Sequence, residues 1–177
     1  EEAFRQEYEA DFLGSSNTLI SYEKLQELSY SSPIFSKEDL DVYEEPEMGR
    51  IYALTVDTAR GQGLDYSTFT VFDTTEVPYK IVAKYRNNTV APLLFPNIIN
   101  IIGKKYNDAY ILVESNDIGA QVADVLHHDL EYENLFVEST VKSNRLGIEM
   151  NRKVKRIGCS GIKDILEEKK LEIVDEN

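Results

Sequence analysis

The chain has 177 residues, 42% of them hydrophobic, one cysteine and a formal net charge of −13. That length predicts one domain, or one domain with an added arm, able to bury a core without staples; the lone Cys159 excludes an internal disulfide framework and suits a reducing compartment. The charge argues against a general nucleic-acid coat, and the sequence shows neither a run apolar enough for a membrane-spanning helix nor a signal-peptide pattern.

Residues 1–49 are mixed and acidic and read as an arm. The opening "EEAFRQEYEADF" lacks an initiator methionine, and "LEIVDEN" follows strand-like residues, so both ends read as cuts through a longer protein. "YEKLQEL" predicts a short helix. "SSPIFSKEDLDVYEEPEMG" is turn-rich and predicts a connecting stretch. From Arg50 the pattern sharpens. "RIYALTVD" is a compact apolar run, a candidate buried strand. "YSTFTVFDTT" alternates and is rich in β-branched and aromatic residues, and "YKIVAKYR" is a third strand. Short turns between the three predict an antiparallel meander. "GQGLDY" lacks the third glycine and following helix of a dinucleotide loop, so its glycines serve a hairpin turn at positive φ. "NNT" at Asn87 matches a glycosylation acceptor, with nothing to suggest secretion.

In "APLLFPNIINIIGKKY", Pro92 fits the first turn of a helix and Pro96 a bend in it. "AYILVES" is the next strand. Ile118, Val122, Val125, Leu126 and Leu130 then fall at helical spacing, with His127 and His128 placed for a C-terminal dipole interaction. "NLFVES" predicts a short strand. Val154, Ile157, Gly161, Ile162, Ile165 and Leu166 line one face of a last helix, with Cys159 as a packing residue, and "LEIV" closes the chain as a strand. Alternating strands and helices in this half predict parallel pairing. The fold class is therefore α/β: a meander feeding parallel strands in a mixed sheet flanked by helices.

Two predicted strands end on acids, Asp57 and Glu114. In an open α/β sheet, ligands gather beyond the carboxyl ends of strands near a change in strand order. If the two strands are parallel neighbours, the carboxylates face one crevice, and their repulsion is relieved by a divalent cation. Two such ions about 3.5–4 Å apart can activate water and stabilise a leaving oxygen in phosphodiester cleavage. A strand-end aspartate is also a common turn former, so both roles stand for Asp57; a turn or strand-entry role is the default for Asp65. Glutamate is a poor turn former, which favours the ligand role for Glu114. Between Lys142 and Arg156 lie six basic residues, Lys142, Arg145, Arg152, Lys153, Lys155 and Arg156, against one acid. They read as a solvated face or as a strip that grips a polyanion.

"FRQEYEADFLGSSNTLIS" resembles the junction between motor and nuclease in the large terminase subunit of T-even-type tailed phages. "LTVDTARGQGLDYS", "YILVESNDIGAQVADVL", "DLEYEN" and "RIGCSGIKDILEEKKLEI" resemble successive segments of that nuclease. The resemblance implies a ribonuclease H-like fold over residues 50–177, truncated at its C-terminus, with residues 1–49 continuing from an ATPase motor. It implies cutting of double-stranded concatemeric DNA with Mg²⁺, or Mn²⁺ as a substitute, in the host cytoplasm during virion assembly. The small terminase subunit and the portal are the implied partners. Asp57 resembles the first metal-binding carboxylate, Glu114 the second and Asp65 a further acid of the same loop. The resemblance raises a DNA contact by the strip from Lys142 to Arg156 to equal standing with the solvated face. The family's third acid belongs to a later "H-D-D"-like motif, which neither Asp164 nor Asp175 matches, so the 177 residues are expected to cut poorly. Two rival readings are an actin-like Mg-ATP phosphotransferase and a non-catalytic acidic docking module of a packaging assembly.

Overall fold

The computed structural model describes residues 19–139 and 144–174. The junction stretch up to residue 18, Lys142 and Asp175 lie outside the described residues. A short helix α1 (Tyr22–Gln26) is followed by β1 (Phe35–Lys37), β2 (Leu40–Val42), β3 (Tyr52–Asp57), β4 (Ser67–Asp73) and β5 (Tyr79–Asn87). Helix α2 (Phe95–Lys105), β6 (Tyr110–Val113) and α3 (Gly119–Asp124) follow, with α3 continued by a π-helical turn, Val125–Asp129. The remaining elements are β7 (Val137–Ser139), β8 (Asn144–Leu146), α4 (Arg152–Glu167) and β9 (Leu171–Glu172). The described residues form a seven-stranded sheet ordered β1-β2-β5-β4-β3-β6, with β9 against β5.

The predicted meander is present: β3–β4 and β4–β5 are antiparallel, and β6 lies parallel to β3. Alternation in β3 explains its place. Tyr52, Leu54 and Val56 are buried while Thr55 and Asp57 are exposed, so this strand is buried on one face, not two. Its buried face meets Phe69 and Val71 of β4, Ile111 and Val113 of β6, and Phe95 and Ile99 of α2. Phe69, Tyr85 and Phe95 stack with ring centroids 5.1–6.2 Å apart. At the far end of β3 the Arg50 guanidinium pairs with the nearly buried Asp73 at 2.9 Å. Burial alone would raise that carboxyl; hydrogen bonds from Thr75 and Arg50 outweigh it and hold it below the ordinary range.

Several expectations change. The stretch read as a connecting arm forms β1 and β2, a hairpin annealed to β5 through Leu40–Val42, so the sheet begins before Arg50. Pro92–Leu94 form a turn and α2 starts at Phe95, which places Pro96, not Pro92, in the first helical turn, where a missing N–H costs little. "NLFVES" divides in two. Asn134–Phe136 follow the edge of β6 through the hydrogen bonds Ile111 N to Asn134 O and Phe136 N to Ile111 O. Val137–Ser139 then leave it to pair with β8 as a separate antiparallel ribbon. The closing strand joins the other side of the sheet, parallel to the start of β5. His127 and His128 sit in the π-helical turn, and their rings meet edge to face at 4.8 Å. Helix α4 has its predicted apolar stripe, yet along it only Leu166 is buried; Cys159 is half-buried and Ile157 remains 59% exposed.

Candidate metal centre at the carboxyl ends of β3 and β6

The register of β3 and β6 pairs Val56 with Val113, and the Glu114 N–H donates to the Val56 carbonyl at 2.9 Å. Asp57 and Glu114 are therefore the next residues along two neighbouring parallel strands, in step with one another. Burial, and then the Asp57 charge, push the Glu114 carboxyl above its ordinary value, while the Lys155 ammonium on the first turn of α4 pulls it back. The first acid acts electrostatically on the second, which is the adjacency the strand-end pattern predicts.

Local chemistry fixes each acid. Beyond Asp57, the buried Ser67 hydroxyl accepts from the Ala59 N–H at 3.0 Å and holds the loop against β4. Gly61 and Gly63 carry φ of +67° and +77°, as the hairpin reading requires. The loop is stapled to the turn after β5 by Gly63 N to Asn88 O at 2.8 Å. Asn87 shapes that turn by accepting from the Thr89 and Val90 N–H groups. Beyond Glu114, Ser115 N donates to Ile148 O, and the Asn116 amide both donates to Met150 O and accepts from Met150 N. This brings in the residues just before α4. Asn151 caps that helix, its side chain accepting from Lys153 N and Val154 N.

A cleft of about 410 Å³ opens beside Asp57, and Thr58, Arg60, Asp65, Tyr66 and Asp117 are among its walls. Asp65 thus shares a cleft with Asp57. Arg86 of β5 stacks 3.9 Å over the Tyr66 ring at this same end of the sheet. Of the basic strip, Arg145 pairs with Glu149, whereas Arg152, Lys153, Lys155 and Arg156 are exposed on the start of α4 and form no ion pair among the described residues. Sequence reasoning gave no role to Asp117 or Arg60. Their signals were slight: one lies three positions after Glu114 in "ESND", the other three after Asp57 in "DTAR".

The donor set suits a hard divalent cation. Two neighbouring carboxylates could supply oxygen ligands, and the hydroxyl after each acid, Thr58 Oγ1 and Ser115 Oγ, is buried with no protein partner among the described residues. Asp57 and Glu114 would hold the ion. No group of three or more potential ligands forms among the described residues.

A raised Glu114 has a consequence for stability. A carboxyl whose folded pKa lies above its unfolded value stabilises the fold fully only below the unfolded value, about 4.3, and loses that contribution as pH rises through the folded one. At neutral pH the ionised pair costs stability. Glu114→Gln is expected to raise the melting temperature of metal-free protein at pH 7 by about 2–4 °C, corresponding to about 1 kcal/mol, with the gain vanishing near pH 4. Scanning calorimetry across pH checks this; a gain that persists in acid would remove like-charge repulsion as its source.

Residues 54–177 match the family model described as the terminase RNaseH-like domain. The chain belongs to that family. The actin-like alternative gives way here. The terminase RNaseH-like fold recurs in solved structures. The large terminase nuclease from thermophilic phage G20c with bound magnesium superposes with a TM-score of 0.72 at 19% identity, over 92% of this chain and 77% of that one. The large terminase nuclease domain of Thermus phage P74-26 gives 0.66 at 22% identity, over 90% and 73%. The manganese-soaked human cytomegalovirus terminase nuclease domain gives 0.55 at 11% identity, over 89% and 75%. These likenesses establish a ribonuclease H-like mixed sheet with flanking helices.

Proposed function

We propose that the chain is the metal-dependent endonuclease domain of a viral DNA-packaging terminase, of the T-even type, and that it cuts double-stranded concatemeric DNA. The observation that carries this reading is the in-step placement of Asp57 and Glu114 on parallel strands of a terminase RNaseH-like sheet. Mg²⁺ is the proposed ion, with Mn²⁺ able to replace it, in keeping with the magnesium- and manganese-bearing structures named above. When bound, the ion supplies polarisation of the scissile phosphate and a lowered pKa for an attacking water. Asp57 and Glu114 hold it, and Asp65 lines the approach. Lys155 offsets negative charge beside Glu114 and, with Arg145, Arg152, Lys153 and Arg156, offers cations to the DNA backbone; Lys142 is proposed for the same role. Contacts of this kind give salt-sensitive binding with little sequence preference. The small terminase subunit and portal are the proposed partners, and the host cytoplasm during virion assembly the proposed setting.

The test is a crystal soaked in Mn²⁺, read for anomalous density, alongside plasmid cutting by the 177 residues with and without chelator. Density between Asp57 and Glu114 with slow, chelator-sensitive cutting is expected. An empty crevice at saturating Mn²⁺, with a protein partner bound stoichiometrically, would favour the docking module instead.

A further inference from the structure

The β3–β4 loop and the loop after β6 are far apart in the chain, yet an ion pair joins them. Arg60 donates from Nε to Asp117 Oδ2 at 3.0 Å and from Nη2 to both carboxylate oxygens at 2.8 Å. The two side chains are 61% and 60% exposed. At that exposure a pair contributes little to stability. What the bidentate geometry does contribute is direction: a guanidinium gripped along its Nε–Nη2 edge has its plane fixed and its remaining donors aimed one way.

Those donors are open. Nη1 makes no hydrogen bond among the described residues, while its Nε and Nη2 neighbours are engaged. Arg60 also lines the cleft that holds Asp57 and Asp65, and no other lysine or arginine does so among the described residues. The two ends of the pair are anchored independently. Behind Arg60, Gly61 packs so closely on the Val90 carbonyl that an added Cβ would sit 2.3 Å from its oxygen. Asp117 is held at φ +49°, a left-handed conformation that aspartate tolerates better than most residues. Two loops thus present one pre-oriented guanidinium, with free donors, beside acids that would otherwise repel a polyanion.

We infer that Arg60 binds a DNA phosphate at the cleavage cleft and that Asp117 is the residue that positions it. The inference rests on the nuclease reading and adds to it the side chain that receives the substrate backbone on the Asp57 side of the site. The engaged edge stays on Asp117 while Nη1 donates to a phosphate oxygen.

Binding of a labelled DNA duplex in metal-free buffer, where no cutting occurs, is measured as a function of salt. Arg60→Ala is expected to weaken binding about tenfold at fixed low salt. It should also make the slope of log K against log salt shallower by about 0.9, the signature of one lost phosphate contact. Arg60→Lys keeps the slope and loses part of the affinity, because an ammonium cannot grip Asp117 along an edge and still reach out. Asp117→Asn also keeps the slope and weakens binding only about threefold, through lost pre-organisation. The exchange Arg60→Asp with Asp117→Arg re-forms an ion pair with the cation on the wrong loop, so binding stays weak. Full recovery in the exchange, or an unchanged slope in Arg60→Ala, would reduce the pair to a tie between loops and overturn the inference. Wild-type protein that ignores DNA would take the nuclease reading down with it, whereas wild-type binding with an indifferent Arg60 variant would fell the inference alone.

Discussion

Replacing Asp57 by asparagine is expected to lower divalent-metal-dependent plasmid cutting on the order of 1,000-fold, with Glu114→Gln producing a similar loss. The size follows from the chemistry. An amide keeps the shape and one acceptor oxygen of the carboxylate, yet removes the charge that holds a hard cation against its hydration shell. The fold is not held together by that charge. Asp57 is exposed at the end of β3, and its strand is fixed by main-chain pairing with β4 and β6. Both variants should therefore melt cooperatively, at or above the wild-type temperature, while failing to cut. Mn²⁺ titration by calorimetry separates the cause from a misfolded site, since binding heat should fall with cutting. Undiminished cutting by either variant would remove that residue from the mechanism, and undiminished cutting by both would remove the crevice.

The meander and the in-step placement of Asp57 and Glu114 were legible because their signals are local. "YSTFTVF" alternates, and burial in β4 alternates with it. Glu114 follows four apolar residues directly, and the parallel neighbour that makes it meaningful was implied by the helix between the meander and β6. The β1–β2 hairpin was not legible. Its strands are three residues each, too short to show a period, and they are strands only because β5 offers an open edge to Leu40–Val42. The ribbon of β7 and β8 failed for a similar reason: "NLFVES" spends its first half on the β6 edge and its second half on β8. Helix α4 shows the opposite case, in which the period of 3.6 was correctly read but burial did not accompany it. A stripe in the sequence specifies a face, not what covers it. The Arg60–Asp117 pair lies beyond any reading of local pattern, since 57 residues separate its members and no motif marks either.

The second large effect is expected from a residue with no functional group. Gly119 opens α3 five positions after Glu114, and it is buried. A Cβ built there would lie 1.7 Å from the Glu114 carbonyl oxygen and 2.9 Å from its carbonyl carbon. The obstacle is main chain, so no rotamer change relieves it. The Glu114 peptide has little room to retreat: its N–H is bonded to Val56 O, and the next N–H, of Ser115, to Ile148 O. Gly119→Ala must therefore lift α3 from the sheet or drag Glu114 out of step with Asp57. The cost is expected to be about 2–4 kcal/mol, in the upper range for overpacking. Cutting should fall at least about tenfold even at temperatures where the variant is folded, because a displacement of about 1 Å is enough to spoil a reacting geometry. Gly158 of α4 is the control. A Cβ added at Gly158 would meet nothing within 4 Å, and the residue sits inside an exposed helix, so Gly158→Ala should be neutral or stabilise by up to about 1 kcal/mol. Thermal melts and Mn²⁺ titrations of the two alanine variants decide the matter. If Gly119→Ala melts and binds Mn²⁺ like wild type, the contact between the first turn of α3 and the Glu114 carbonyl does not hold the acid in place, and helix and metal centre are uncoupled.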